Sequence, residues 1–171
     1  ILGAWTYSFG DTEMTAGNEI QALGYIEADG TASLTATLGD ITVASISAAN
    51  INITAVNSSI LDDGDDTTVL SATGTITLTA KTDIGSTDGQ AGIRPGFIDI
   101  DTTNLSDDSI TLAGDIGSDI YLNFLTGNFY SSYLAAISPN NTSPENSINS
   151  LTIGATDGNL VVDNDIFNQD D

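Results

Sequence analysis

Carboxylates are the only side chains present in quantity that could do acid–base or metal chemistry. The 171 residues carry 24 Asp and Glu against two basic residues, Lys81 and Arg94, with no His and no Cys. That composition excludes a histidine general base, a thiolate nucleophile, a His/Cys zinc site and thiol redox chemistry. Asp99 and Asp101 stand two apart in Phe97-Ile-Asp-Ile-Asp101, a spacing that places both on one face of a strand, expected to be the solvent face. Paired carboxylates serve glycosidases. In a chain with 24 acids, however, such pairs follow from composition, so no catalytic residue is assigned and a non-enzyme is expected.

Asp62-Asp-Gly-Asp-Asp66 gathers hard oxygen ligands around a glycine, which suits calcium and its six to eight oxygens. The EF-hand spacing and the nonapeptide Gly/Asp repeat are absent. Asp62, Asp63, Asp65 and Asp66 are the candidate calcium ligands, and calcium is the one cofactor suggested. The competing reading is solvated turn residues that give solubility and discourage edge pairing. The tetrapeptide Asp83-Ile-Gly-Ser86 returns as Asp115-Ile-Gly-Ser118. If Asp83 and Asp115 share a ladder, two unit charges about 4.8 Å apart repel by about 0.9 kcal/mol in water.

The formal net charge of −22 repels nucleic acid and anionic bilayers, so neither is an expected partner. No apolar run approaches the roughly 18 residues of a membrane span. The sequence begins at Ile1 rather than Met, which fits a processed secreted chain or a segment of a longer one.

With 40% hydrophobic and 15% charged residues, the chain has the apolar content of a folded domain. Thr, Ser, Asn, Asp and Gly dominate the rest, which favours strands and turns over helices. Alternation recurs at Asp40–Ile46, Asn50–Ala55, Gly74–Ala80, Phe97–Asp101, Ser109–Leu112, Asp119–Leu122, Ser150–Ile153 and Asn159–Val162. Each run sets Ile, Leu or Val on one face and polar residues on the other, as a half-buried strand requires. Asp/Gly/Asn turn clusters separate them.

These runs resemble one another. Ile51-Asn-Ile-Thr-Ala55 matches Ile76-Thr-Leu-Thr-Ala80 and Ile110-Thr-Leu-Ala113, with echoes at Ser33–Ala36 and Leu151–Ala155. Ala36 to Ala55 is 19 residues and Ala55 to Ala80 is 25, with later spacings of 34 and about 41. Passes of about 20–25 residues, stacked about 4.8 Å apart, are what a parallel β-helix needs to build a shared core. The expected fold is therefore all-β, a β-solenoid with loop insertions; the alternative is an antiparallel β-sandwich.

Gly39-Asp-Ile-Thr-Val through Ser59-Ile-Leu-Asp-Asp63, and Gly74 through Ser86, resemble the repeat region of filamentous-haemagglutinin-type β-helix adhesins. Phe97–Asp101 and Asp119–Leu122 extend the likeness, which covers about residues 30–125. The resemblance implies a secreted bacterial surface protein, a right-handed parallel β-helix that mediates adhesion.

Two segments depart from the pattern. Ile1-Leu-Gly-Ala-Trp-Thr-Tyr-Ser-Phe9 is aromatic, so residues 1–29 are expected to form an N-terminal cap or strand-exchange segment ahead of a solenoid over 30–171. Ile1, Leu2, Trp5, Tyr7 and Phe9 are its candidate self-assembly contacts. A loop insertion is expected over about 123–149, packed on the solenoid flank. Within and beside it, Tyr121, Phe129, Tyr130 and Tyr133 are candidates for stacking a glycan or meeting a partner. Asn140, in a Pro-flanked loop, is the most accessible glycosylation sequon. The expected role is a non-catalytic extracellular structural or adhesion protein, a subunit or segment of a cell-surface fibre whose partner is itself or a surface glycan. A glycan-binding module is the alternative, and a polysaccharide-degrading β-helix enzyme a more remote one.

Overall fold

Short strands form wherever a β-branched or Leu residue alternates with Thr, Ser or Asn, and they end at Asp, Gly or Asn turns. The computed structural model describes residues 5–64, 69–86, 96–114, 118–139 and 150–162, with backbone alone over 135–139. In chain order the strands are β1 (Thr6–Ser8), β2 (Thr12–Ala16), β3 (Ile20–Ala22), β4 (Ile26–Ala36), β5 (Ile41–Val43) and β6 (Ile46–Ala55). Then come β7 (Ile60–Asp62), β8 (Leu70–Ala72), β9 (Ile76–Ala80), β10 (Ile98–Ile100) and β11 (Ile110–Gly114). The last are β12 (Asp119–Phe124), β13 (Phe129–Tyr130), β14 (Leu134–Pro139), β15 (Ser150–Ala155) and β16 (Leu160–Val161), with one 3₁₀ turn at Ser131–Tyr133.

Every strand pairing among the described residues is parallel. The fold is all-β with parallel sheets, and the antiparallel alternative is not what the chain forms. Three lines of pairing run through it. The first joins β1, the start of β4, the start of β6, β8, β10 and β12. The second joins β2, the rest of β4 and β6, β9, β11 and β14. The third joins β3, β5 and β7 and continues through single bridges at Ile84 and Ile120. The chain visits the lines in the order first, second, third, and then returns to the first.

Register puts like residues on like. Leu34, Ile53, Leu78 and Leu112 stack along the second line. Ile20, Ile41, Ile60, Ile84 and Ile120 stack along the third. Ile26, Ile46, Leu70, Ile100 and Phe124 stack along the first. All of these side chains point into one core, and nearly all are completely buried. Burying a side chain of this size stabilises by about 1.5–3 kcal/mol.

Between the first and second lines β4 bends. Asp29 and Gly30 stand opposite the single residue Ala49 of β6, a β-bulge that turns the strand. A Cβ at Gly30 would collide with the Asp11 carboxylate and crowd the Gly10 backbone, so a side chain there would displace Asp11.

Several expectations need correction. The ladders begin at Thr6, so residue 30 lies inside β4 and does not divide an N-terminal segment from the rest. The insertion expected over 123–149 contains β13 and β14, both paired into ladders. The Leu151–Ala155 echo is not the next pass after β11: that place belongs to β14, and β15 lies on β12. Leu134-Ala-Ala-Ile-Ser-Pro139 lacks alternating Thr, which hid it from a periodicity reading. Asp119 is the residue that meets Asp83, and Asp115 lies outside the described residues.

Ile53 sits at the centre of the core with neighbours above and below. Ile53→Ala is expected to cost about 2–5 kcal/mol in urea denaturation, while Val56→Ala, at an exposed corner, stays within about 0.5 kcal/mol.

Candidate functional site

Where the ladders end, the core is left partly uncovered. Among the described residues β1, β2 and β3 pair on one side only. Met14 and Ala16, which occupy the inward columns of β2, are half-buried, whereas Leu34, Ile53 and Leu78 beyond them are completely buried. At the other end, among the described residues, β15 pairs only with β12, and its inward Leu151 and Ile153 are likewise half-buried. A strand edge with free N–H and C=O groups over an open apolar cross-section is a template for another strand.

The edge at β1 carries large apolar side chains. Trp5 is 67% exposed and Phe9 87%. Tyr7 and Phe9 meet edge to face with centroids 4.8 Å apart. Leu23 and Tyr25 are exposed on the same early part of the chain. Of the expected assembly contacts, Trp5, Tyr7 and Phe9 thus lie together at an open edge, and Ile1 and Leu2 lie outside the described residues.

The acids have a structural use that composition did not reveal. An Asp or Asn side chain at the start of a strand accepts the backbone N–H at the start of its parallel partner. Asp11 Oδ1 accepts from Thr31 at 2.8 Å, Asp40 from Ser59 at 3.1 Å and Asn50 from Thr75 at 3.0 Å. Asp83 accepts from Asp119 at 2.9 Å and Asn128 from Asn159 at 3.0 Å. The signal was partly present in the sequence, because Asp11, Asp40 and Asn128 immediately precede the first residue of a strand and Asp83 that of the Ile84 bridge, whereas Asn50 lies inside β6. The charged acceptors make the stronger bonds of this set.

Asp99 and Asp101 do not share a solvent face. Asp99 is 7% exposed and its carboxylate accepts from Asn123 Nδ2 at 2.5 Å. Asn123, also buried, accepts in turn from Thr156 Oγ1 at 3.1 Å. Asp99 is covered because the following strand sets Asn123 opposite it rather than open solvent. Asp101 is held by the Thr103 N–H and by hydroxyls of Thr103, Thr126 and Ser71. Partial burial pushes its pKa up, but these donors outweigh it and leave the carboxyl below its usual range.

Asp62 behaves oppositely. Burial, reinforced by the charges of Asp63 and Asp99, lifts its pKa to about 6, against the bond it accepts from the Gly64 N–H at 2.8 Å. Asp62 closes β7 and Asp63 follows it, and the other two expected calcium ligands, Asp65 and Asp66, lie outside the described residues. Among the described residues no three acidic side chains come together as a metal site.

The aromatic group divides. Phe129 is completely buried and stacks on Phe124 at 4.1 Å, so it belongs to the core and not to a glycan platform. Its strand pairs with β16, and its ring packs inward on Phe124. Tyr133 meets Phe129 and Tyr130 edge to face, and Tyr121 packs on Phe97 at 5.5 Å instead. Asn140 lies outside the described residues.

No protein-family model, curated protein or solved structure matches the chain.

Asp62 gives a pH-dependent prediction. Its folded pKa of about 6 lies above the unfolded value of about 3.9, so its ionised form opposes folding above pH 6. That cost fades as pH falls through 6 and is gone below the unfolded pKa. Asp62→Asn is expected to raise Tm at about pH 7.5, with the gain shrinking towards pH 4. A gain that is constant with pH would remove the assignment.

Proposed function

We propose that the three lines of pairing are the faces of a parallel β-helix, and that this solenoid is a non-catalytic structural or adhesion protein of the cell exterior. It serves as a subunit or segment of a surface fibre and extends by stacking end to end with its own kind. The fixed order of the three lines, their uniform parallel pairing and the inward columns support the solenoid. The observation that carries the fibre is the half-covered core at both ends: Met14 and Ala16 under an edge at one end, Leu151 and Ile153 at the other. A second copy offers such an end a matching cross-section and unpaired backbone groups, a head-to-tail contact that does not close. Trp5, Tyr7 and Phe9 supply the apolar contact at that joint.

Charge sets the condition for assembly. Two chains of −22 each repel, and salt screens that repulsion beyond about 8 Å at physiological ionic strength. Bound cations, calcium among them, would lower it further. The non-catalytic reading is supported by Asp99 and Asp101, whose carboxylates are engaged in cross-strand hydrogen bonds. A glycan platform has less support, since burial of Phe129 leaves Tyr130 and Tyr133 as a half-buried pair.

Electron microscopy of the purified chain, with calcium and with a chelator, tests the proposal. Filaments with a regular axial repeat are expected, sparser in the chelator. A Trp5→Ala, Phe9→Ala double variant is expected to give short rods with unchanged circular dichroism. Isolated particles at every concentration and ionic strength would overturn end-to-end assembly. Unchanged filaments in the double variant would move the joint elsewhere.

A further inference from the structure

The outer surface of the second line has a chemistry unlike the rest of the chain. Two outward columns cross β4, β6 and β9 in register: Ser33, Asn52 and Thr77 in one, Thr35, Thr54 and Thr79 in the other. Thr15 of β2 extends the second column. No charged residue occupies these six positions, although the chain carries 24 acids. Glu13, on the end strand, is the first charge met along the first column.

The polar groups of this face are also unused by the fold. Among the described residues none of the six side chains makes a hydrogen bond within the protein, and all six are partly exposed. Corner hydroxyls behave differently: Thr75 bonds Asn50, Ser59 bonds Thr82, and Thr103 and Thr126 bond Asp101. The hydroxyls of the face therefore point outward as an ordered set. Strand spacing and rise set their grid at about 4.8 by 6.6 Å, and the β-branched Thr side chains hold few rotamers.

The partner that fits is neutral, flat and periodic. No aromatic ring stands in either column, so the face lacks the stacking surface that sugar rings use. It has no large apolar anchor of the kind that carries protein interfaces, and no cation for an anionic surface. An uncharged grid of hydroxyls and methyl groups matches a lattice of water oxygens, which repeats on the same scale and excludes ions. We propose that this face binds crystalline water and holds the protein against ice. The inference rests on the pairing register alone, and it goes beyond the fibre reading, whose failure would leave it standing.

Thermal hysteresis and crystal shape, measured on the full chain by nanolitre osmometry, test it. Faceted crystals and a gap between melting and freezing points are expected. Thr54→Tyr and Thr79→Tyr should each remove most of that gap, while Thr42→Tyr, on the outward side of β5, should keep it. Thr54→Ser, too conservative to unfold the chain, should reduce the gap by losing the methyl group, and circular dichroism checks each variant. Round crystals with no gap for the native chain would overturn the proposal, as would equal losses for Thr42→Tyr and Thr54→Tyr. Lateral pairing of native chains that Thr54→Tyr abolishes, without any effect on ice, would assign the face to a second copy instead.

Discussion

In-register parallel pairing is the constraint on which everything else depends. A single pass of this chain offers a few Ile, Leu and Ala residues and cannot enclose them. Placed on an equivalent pass, each side chain meets its like about 4.8 Å away, and a continuous core results. Leu34 on Ile53 on Leu78 on Leu112 shows the economy of the arrangement: one packing solution, found once, is reused with small changes. The same constraint dictates the outside, because whatever the outward positions carry is also repeated in columns.

Stacking multiplies any charge placed at a repeated position, and a chain with 24 acids has to manage that. It does so by giving the corner carboxylates work. Asp11, Asp40 and Asp83 accept backbone N–H groups from the neighbouring pass, which compensates negative charge with a local donor and pins register at the point where a strand begins. Asn50 and Asn128 do the same without charge. Where donors are plentiful, as around Asp101, the carboxyl is stabilised as an anion. Where burial and like charges dominate, as at Asp62, it is not.

Much of the fold was legible in the sequence, because alternating Ile and Thr at about 20-residue spacing constrains both the strand and its pairing. The second line could be read as far as β11, including its 34-residue step from Ile76 to Ile110. What failed was reading beyond strict alternation: β14 has the wrong polar residues to show the pattern, and β1–β3 looked like a separate segment because their inward Met14, Ala16 and Ile20 do not repeat the Ile-Thr alternation. The candidate site was partly legible. Trp5, Tyr7 and Phe9 announced an exposed edge, but the direction of Asp99 depends on Asn123 and Thr156, some 24 and 57 positions away, and no local period carries that. The same is true of Phe129, whose burial depends on stacking against Phe124 of the preceding strand.

The step between partners varies along the chain, from 19 residues for Ala32 and Ile51 to 34 for Ile76 and Ile110, yet the core columns continue across it. Length is absorbed entirely at the corners. Among the described residues each strand's ladder hydrogen bonds run only to the strands on either side of it, so that stability accumulates by neighbours as in a one-dimensional array. Folding in such an array starts wherever two passes first pair and spreads in both directions. An excursion grafted at a corner then slows one step of that spread and leaves the others as they were. The frame and its decorations are free to change at different rates.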